Sequence, residues 1–321
     1  MKKYSVLFLG LASALSCSAL TVSSDAIYVN PSNSVEFSTT KITGVGTVDE
    51  LGSNLTYTSL YFYDADFTVN NSKELVLTST NISNGQLGVS SSGYSIVCQG
   101  NTKITITDGG AIRSRSIALN EKKASFELTI DETAGDRTSI DRVFLYNGSK
   151  YTLNLHKENA FGKVCAIGSA TNSVNTLNIS KNQTVNFDFR SGSSKNYLNL
   201  TDGAILSIAS ISYVSASKSW QCNFTVENGL RDGGILFLEN EKFNWGIDSW
   251  DEENAVFTIN SAENQTIKYQ FVDSNGVALT GLSYTAVDGG WLLTGAVPEP
   301  AEWAMIFGGI ALGFAIYRRR K

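Results

Sequence analysis

The sequence predicts an all-β protein whose body is a right-handed parallel β-helix, or β-solenoid, with a β-sandwich as the rival architecture. Three observations predict it. Runs alternating apolar residues with Thr, Asn, Ser or charge recur along the body, they return at a near-constant interval, and no segment before residue 300 carries a long helical stripe. Strict alternation puts one face of a strand on a core and the other in water.

The runs are LVLTST, TKITITD, ASFELTID, YTLNLH, NTLNIS, NYLNLTD, CNFTVEN and NAVFTIN. They begin near residues 75, 104, 126, 151, 174, 198, 223 and 255, so successive starts lie 22 to 32 residues apart. That spacing suits one solenoid coil each, with shorter strands such as QLGVS and SIVCQ completing a turn. The body also holds a single proline, Pro31, as expected where most strands lie inside a continuous ladder.

Asp-Gly pairs punctuate the strands in ITITDGGAI, LNLTDGAIL, RDGGILF and AVDGGWLL. Asp tolerates turn geometry and Gly accepts positive φ, so each pair marks a hairpin in a sandwich or a corner in a coil. Their irregular separation is the argument on the side of the sandwich.

Both ends read differently from the body. At the start, Lys2 and Lys3 precede an apolar core from Val6 to Leu15 and then small residues. This is the layout of a secretory signal peptide, a short helix covering residues 1–19 with cleavage after Ala19, or alternatively after Ala26. The partners it implies are the Sec translocon and signal peptidase. Cys17 is only a weak candidate for a lipoprotein site, since Ala14, Leu15 and Ser16 form a poor lipobox.

At the other end, Val297, Pro298, Glu299, Pro300 and Ala301 form an extended segment, because each proline locks its own φ and pushes its predecessor away from helix. From Trp303 through Phe307, Gly309, Leu312 and Phe314 to Tyr317 there is no charge. These residues predict a transmembrane helix over 303–317, which at ~1.5 Å per residue spans ~22 Å of a ~30 Å hydrocarbon core. Arg318, Arg319, Arg320 and Lys321 follow as a stop-transfer cluster, and their long side chains can snorkel. By the positive-inside rule they leave the body, residues 20–296, outside the cytoplasm.

The order of Pro-Glu-Pro, short apolar helix and terminal cations resembles the PEP-CTERM sorting signal of Gram-negative envelope proteins, which is also grouped with an ice-binding protein C-terminal domain. The resemblance covers residues 297–321. It implies that Pro298, Glu299 and Pro300, flanked by Val297 and Ala301, are read by an exosortase-type membrane protease. In that family the tail anchors the exported protein transiently in the inner membrane until the protease releases it to the surface. Such tails follow many unrelated ectodomains, often associated with exopolysaccharide and biofilm.

Removing the six terminal cations and the two tail carboxylates leaves 19 cations against 28 anions, a body charge of about −9. That balance disfavours nucleic acid and anionic surfaces as partners. An envelope polysaccharide remains the expected ligand class.

Little catalytic chemistry is legible. The chain has one histidine, His156, inside YTLNLH, and after export Cys98, Cys165 and Cys222 remain, with no spacing that suits a metal. No catalytic residue, metal or cofactor is predicted. Carboxylate pairs for glycoside hydrolysis would have to come from Asp64 with Asp66, Asp131 with Asp136, or the group Asp248, Asp251, Glu252 and Glu253, each of which also reads as a solvated loop. None of these groups matches the spacing of a calcium loop.

Tyr61, Tyr63, Trp245 and Trp250 suit either a sugar-stacking platform or a core. Nine Asn-x-Ser/Thr triplets, including those at Asn178 and Asn199, follow from the Asn-, Ser- and Thr-rich composition. Thr105 with Thr107, and Thr56 with Thr58, do not extend into a Thr-x-Thr array. The expectation is an exported, non-enzymatic surface or matrix protein with a structural or adhesive role. A carbohydrate-active β-helix enzyme, lyase or hydrolase, is the alternative.

Overall fold

The computed structural model describes residues 21–26, 38–47, 55–57, 59–77, 96–119, 124–144, 148–189, 193–211, 219–226, 229–239, 246–260 and 266–295. Among these residues the protein is all-β and builds a parallel solenoid. The signal helix, residues 1–19, and the transmembrane helix, residues 303–317, lie outside the described residues.

One long ladder stacks Ser38–Thr47, Ser59–Val69, Asn101–Ile106, Ser125–Ile130, Lys150–Leu155, Val174–Ile179, Lys195–Leu200, Ser219–Thr225 and Thr266–Val272, every neighbour parallel. A second ladder stacks Ile96–Gln99, Ile117–Leu119, Arg142–Phe144, Cys165–Ser169, Gln183–Phe189, Ala204–Ile211 and Gly233–Leu238, again parallel. Parallel neighbours need a crossover between them, which each coil supplies by passing from one ladder to the other and back. This excludes the sandwich, whose sheets are antiparallel.

A third, shorter sheet of Leu55–Tyr57, Glu74–Leu77, Ala111–Ser114 and Ser139–Ile140 makes the early coils three-sided. Two of the later coils have no room for it. Between Ile106 and Ile117, and between Ile130 and Arg142, the chain has room for an extra strand, whereas Ile179 to Gln183 and Leu200 to Ala204 allow only a tight corner.

The register confirms the spacing predicted from sequence and corrects its ends. Thr102, Phe126, Tyr151, Asn175 and Asn196 stack in order, at steps of 24, 25, 24 and 21 residues. The run near 75 belongs to the third sheet instead of the long ladder. The run near 255 forms Val256–Asn260, which pairs antiparallel with Thr266–Val272. Of the shorter strands, SIVCQ contributes Ile96–Gln99 to the second ladder, and QLGVS lies outside the described residues.

Antiparallel strands close the far end. Gly290–Gly295 pairs antiparallel with both Gly233–Leu238 and Leu282–Val287, and Trp250–Asp251 extends the Val256–Asn260 pair. The Asp-Gly pairs therefore do two jobs. Asp108 with Gly109, and Asp202 with Gly203, take positive φ at coil corners, while Asp288 and Gly289 turn the terminal hairpin.

Inside the coils the alternation becomes vertical stacks. Ile104, Leu128, Leu153, Leu177 and Leu198 lie in one register and are buried, and Ile106, Ile130, Leu155, Ile179 and Leu200 form a second stack beside them. Burying each such side chain contributes roughly 1.5–3 kcal/mol, so the stacks supply the main cohesion between coils. Toward the far end the filling turns aromatic: Phe237 stacks on Phe257 with centroids 4.1 Å apart, and Tyr284 on Trp291 at 5.0 Å.

Candidate functional site

The outward face of the long ladder carries two rows of polar side chains. In one row Thr68, Thr105, Thr129, Asn154, Asn178 and Asn199 occupy one register. The Asn178 amide donates to Asn154 Oδ1 at 2.7 Å, Asn199 donates to Asn178 Oδ1 at 2.8 Å, and Asn154 donates to Thr129 Oγ1 at 3.1 Å. Each amide both donates and accepts, so a stack of identical residues satisfies itself along the coil axis. Nδ2 of Asn178 and of Asn199 each gives one of its two hydrogens to this ladder.

In the neighbouring row Asp66, Lys103, Glu127, Thr152 and Thr176 occupy one register. Lys103 pairs with Glu127 at 3.3 Å. Two residues before this row, Ser125 donates to Asn101 Oδ1 at 2.6 Å, and Lys150 follows on the next coil.

At the start of this face lies a hollow of about 420 Å³, lined by Val45, Asp64, Asp66, Asn101, Lys103, Ser125, Glu127, Lys150 and Thr152 among others. Its cause is a change in corner geometry. Strand Ser59–Val69 bends at Asp64, whose φ is 47°, so that Leu60–Tyr63 joins the second ladder and Asp66–Val69 the first. The Asp64 carboxylate accepts from the Asn101 backbone N–H at 2.8 Å and packs against Gly100, itself at positive φ. These corners take one or two residues, while the next coil uses five between Leu119 and Ser125. The hollow sits at that step.

The carboxylates singled out in the sequence occupy separate places. Asp64 and Asp66 line the hollow, joined there by Glu127, which sequence reasoning missed because only the coil register brings it near. Asp131 caps its own turn, accepting from the Thr133 backbone N–H at 3.0 Å and the Thr133 hydroxyl at 2.7 Å, and these bonds hold it below the usual carboxylate range. Asp136 pairs with Lys157 at 2.8 Å. Asp248, Asp251, Glu252 and Glu253 are exposed at the far end, where Asp251 accepts from both nitrogens of Asn254.

The other candidates are structural. His156 Nδ1 lies 2.9 Å from Ser180 Oγ on adjacent coils. Cys98 and Cys165 are free and fully buried, and burial pushes both thiols far above the ordinary range. Trp250 packs on Phe271 and Tyr284, on the core side of the terminal strands, and Tyr61 and Tyr63 are half-buried. Trp245 lies outside the described residues, as do Val297 to Ala301, the span residues Trp303, Phe307, Gly309, Leu312, Phe314 and Tyr317, and the cluster Arg318 to Lys321.

Among the described residues, no three His, Cys, Asp or Glu side chains gather as a metal site. No described helix is long and apolar enough to cross a membrane. Searches of protein-family models, curated proteins and solved structures found no match to this chain.

Proposed function

We propose that the chain is an exported cell-surface or matrix protein whose solenoid acts as a structural or adhesive scaffold. The observation that carries this reading is the repeated outward row of Thr105, Thr129, Asn154, Asn178 and Asn199, a periodic polar surface with the same chemistry on successive coils. Such a surface suits many weak contacts along a polymer better than one reactive centre.

The targeting ends support the same reading. A signal peptide brings the chain to the Sec translocon, and signal peptidase cleaves after Ala19. Strand Thr21–Ala26 pairs with Ser38–Thr43, so cleavage there keeps it, whereas cleavage after Ala26 would remove it. A PEP-CTERM tail then holds the body at the inner membrane until an exosortase-type protease cuts near Pro298 to Pro300. Intact-mass measurement on surface or secreted material tests this. The expected chain begins near residue 20, ends near residue 300 and lacks the terminal cations, whereas recovery of only the full-length chain in the inner membrane overturns it.

One observation favours a second reading, a carbohydrate-active enzyme: Asp64, Asp66 and Glu127 line a single hollow. Against it, Asp64 is engaged by the Asn101 N–H and Glu127 by Lys103, which gives both a holding role. Cleavage of a polysaccharide by the purified protein, abolished by Asp66→Asn, would establish the enzyme and remove the scaffold.

A further inference from the structure

We infer that the hollow beside Asp66 is a binding subsite for a neutral saccharide, an inference that rests on the adhesive reading and names where and what the scaffold would grip. Its volume, about 420 Å³, lies within the range of small-molecule sites.

The chemistry of its lining selects the ligand class. Along one register Asp66, Lys103, Glu127 and Thr152 present acceptor, donor, acceptor and hydroxyl in succession. Neighbouring strands in a sheet lie ~4.8 Å apart, so this row offers alternating partners along ~14 Å of the coil axis. A sugar hydroxyl both donates and accepts, and therefore suits every position of such a row.

A charged ligand fits less well. An anion would meet three carboxylates, Asp64, Asp66 and Glu127, against two ammonium groups, one of which, Lys103, is already held by Glu127. A cation would meet the ammonium groups of Lys103 and Lys150 among those carboxylates, so neither sign of charge is matched throughout the hollow.

Two further features mark the hollow as open for a ligand. Asp66 and Lys150 are exposed at opposite ends of it, and neither side chain forms a hydrogen bond or ion pair with another described residue. Val45, 45% exposed, forms an apolar rim able to take the C–H face of a pyranose ring.

The test titrates the full-length chain, purified in mild detergent, with cellohexaose, maltohexaose and mannohexaose as neutral probes and with polygalacturonate as an acidic one. The same protein is also tested for retention on isolated cell-surface material. The expected result is binding of at least one neutral hexaose, weakened at least tenfold in the double variant Asp66→Ala/Lys150→Ala and in Thr152→Trp, which fills the hollow. Arg137→Ala, on the other side of the coil, leaves binding unchanged.

Undiminished binding by the hollow variants, preference for polygalacturonate, or no hexaose binding by the wild type overturns the subsite. If surface retention persists in any of those cases, the scaffold reading survives without this site. Loss of retention in the wild type overturns the scaffold reading itself. Circular dichroism on each variant establishes that its fold is intact.

Discussion

The side-chain amide of Asn178 donates to Asn154 Oδ1 at 2.7 Å, joining residues that are 24 apart in the chain and directly superposed on successive coils. Asn199 donates in turn to Asn178, so a single residue links three coils.

Asn178→Ala removes both bonds and leaves the Asn154 oxygen without its donor. At roughly 0.5–1.5 kcal/mol net per hydrogen bond, the expected loss is about 2 kcal/mol. Asn178→Asp should lose less than the alanine variant, since a carboxylate cannot donate to Asn154 but still accepts from Asn199. Urea unfolding measures both, and an unchanged midpoint would remove the ladder from the list of stabilising features.

Leu153 is fully buried between Leu128 and Leu177 in the inner stack. Leu153→Ala is expected to destabilise by about 2–5 kcal/mol, the range for core truncations that leave a cavity. The same denaturant series tests it, and a loss below that range would mean that the coils close over the gap.

Two glycines separate backbone conformation from steric approach. Gly162 and Gly203 both have positive φ, 67° and 74°. A Cβ at Gly162 would collide with the Thr138 carbonyl oxygen, whereas one at Gly203 meets nothing within 4 Å. Gly203→Ala should therefore lose only the left-handed penalty, about 1–2 kcal/mol. Gly162→Ala should lose roughly 3 kcal/mol or more, because overpacking adds about 1–3 kcal/mol to that penalty. Equal thermal shifts in the two variants would refute the distinction.

The Thr133 bonds to Asp131 make a pH-linked contribution of defined sign. Because they hold the folded carboxyl below its usual range, their stabilisation is present above the unfolded carboxylate pKa and fades as pH falls through the lower folded value. Thr133→Val keeps the backbone bond and removes the hydroxyl, so the Asp131 titration should move part of the way back toward the usual range. NMR titration of the carboxyl carbon reads this directly, and an unmoved midpoint would assign the effect to the backbone N–H alone.

Cys98 and Cys165 are sealed inside the coils and their thiols are held protonated by burial. Both should resist iodoacetamide in the native protein and label only at the rate of unfolding, since the thiolate is the reactive form. Peptide mapping after timed quenching checks each site, and rapid native labelling of either would contradict its burial.

Much of the fold was legible because alternation and spacing are local properties. TKITITD, ASFELTID, YTLNLH, NTLNIS and NYLNLTD all became rungs of one ladder at nearly the predicted interval. NAVFTIN alternates just as well, yet it pairs antiparallel, because a strand's own pattern encodes which face is buried and not the direction of its neighbour. Asp-Gly is ambiguous for a similar reason: one pair serves a coil corner at 202–203 and another a hairpin at 288–289.

The hollow was hidden more deeply. Asp64 and Asp66 were visible as an acidic pair, but Glu127 and Lys150 join them only through a register spanning several coils. No local motif marks residues whose proximity depends on how many residues each intervening coil contains.

The near-constant coil also makes the length of this protein adjustable in whole steps. Excising residues 151–174 would bring Asn175 to the place of Tyr151 over Phe126, set Asn178 over Thr129, and lay Gln183–Phe189 on Arg142–Phe144. Each coil touches mainly its two neighbours, so the closing strands at the far end would be unaware of the deletion. The body would be shorter by one strand spacing, ~4.8 Å, with the same ends and the same surface pattern. Its reach is thus quantised, and whole-coil gain or loss could retune it without redesigning a core.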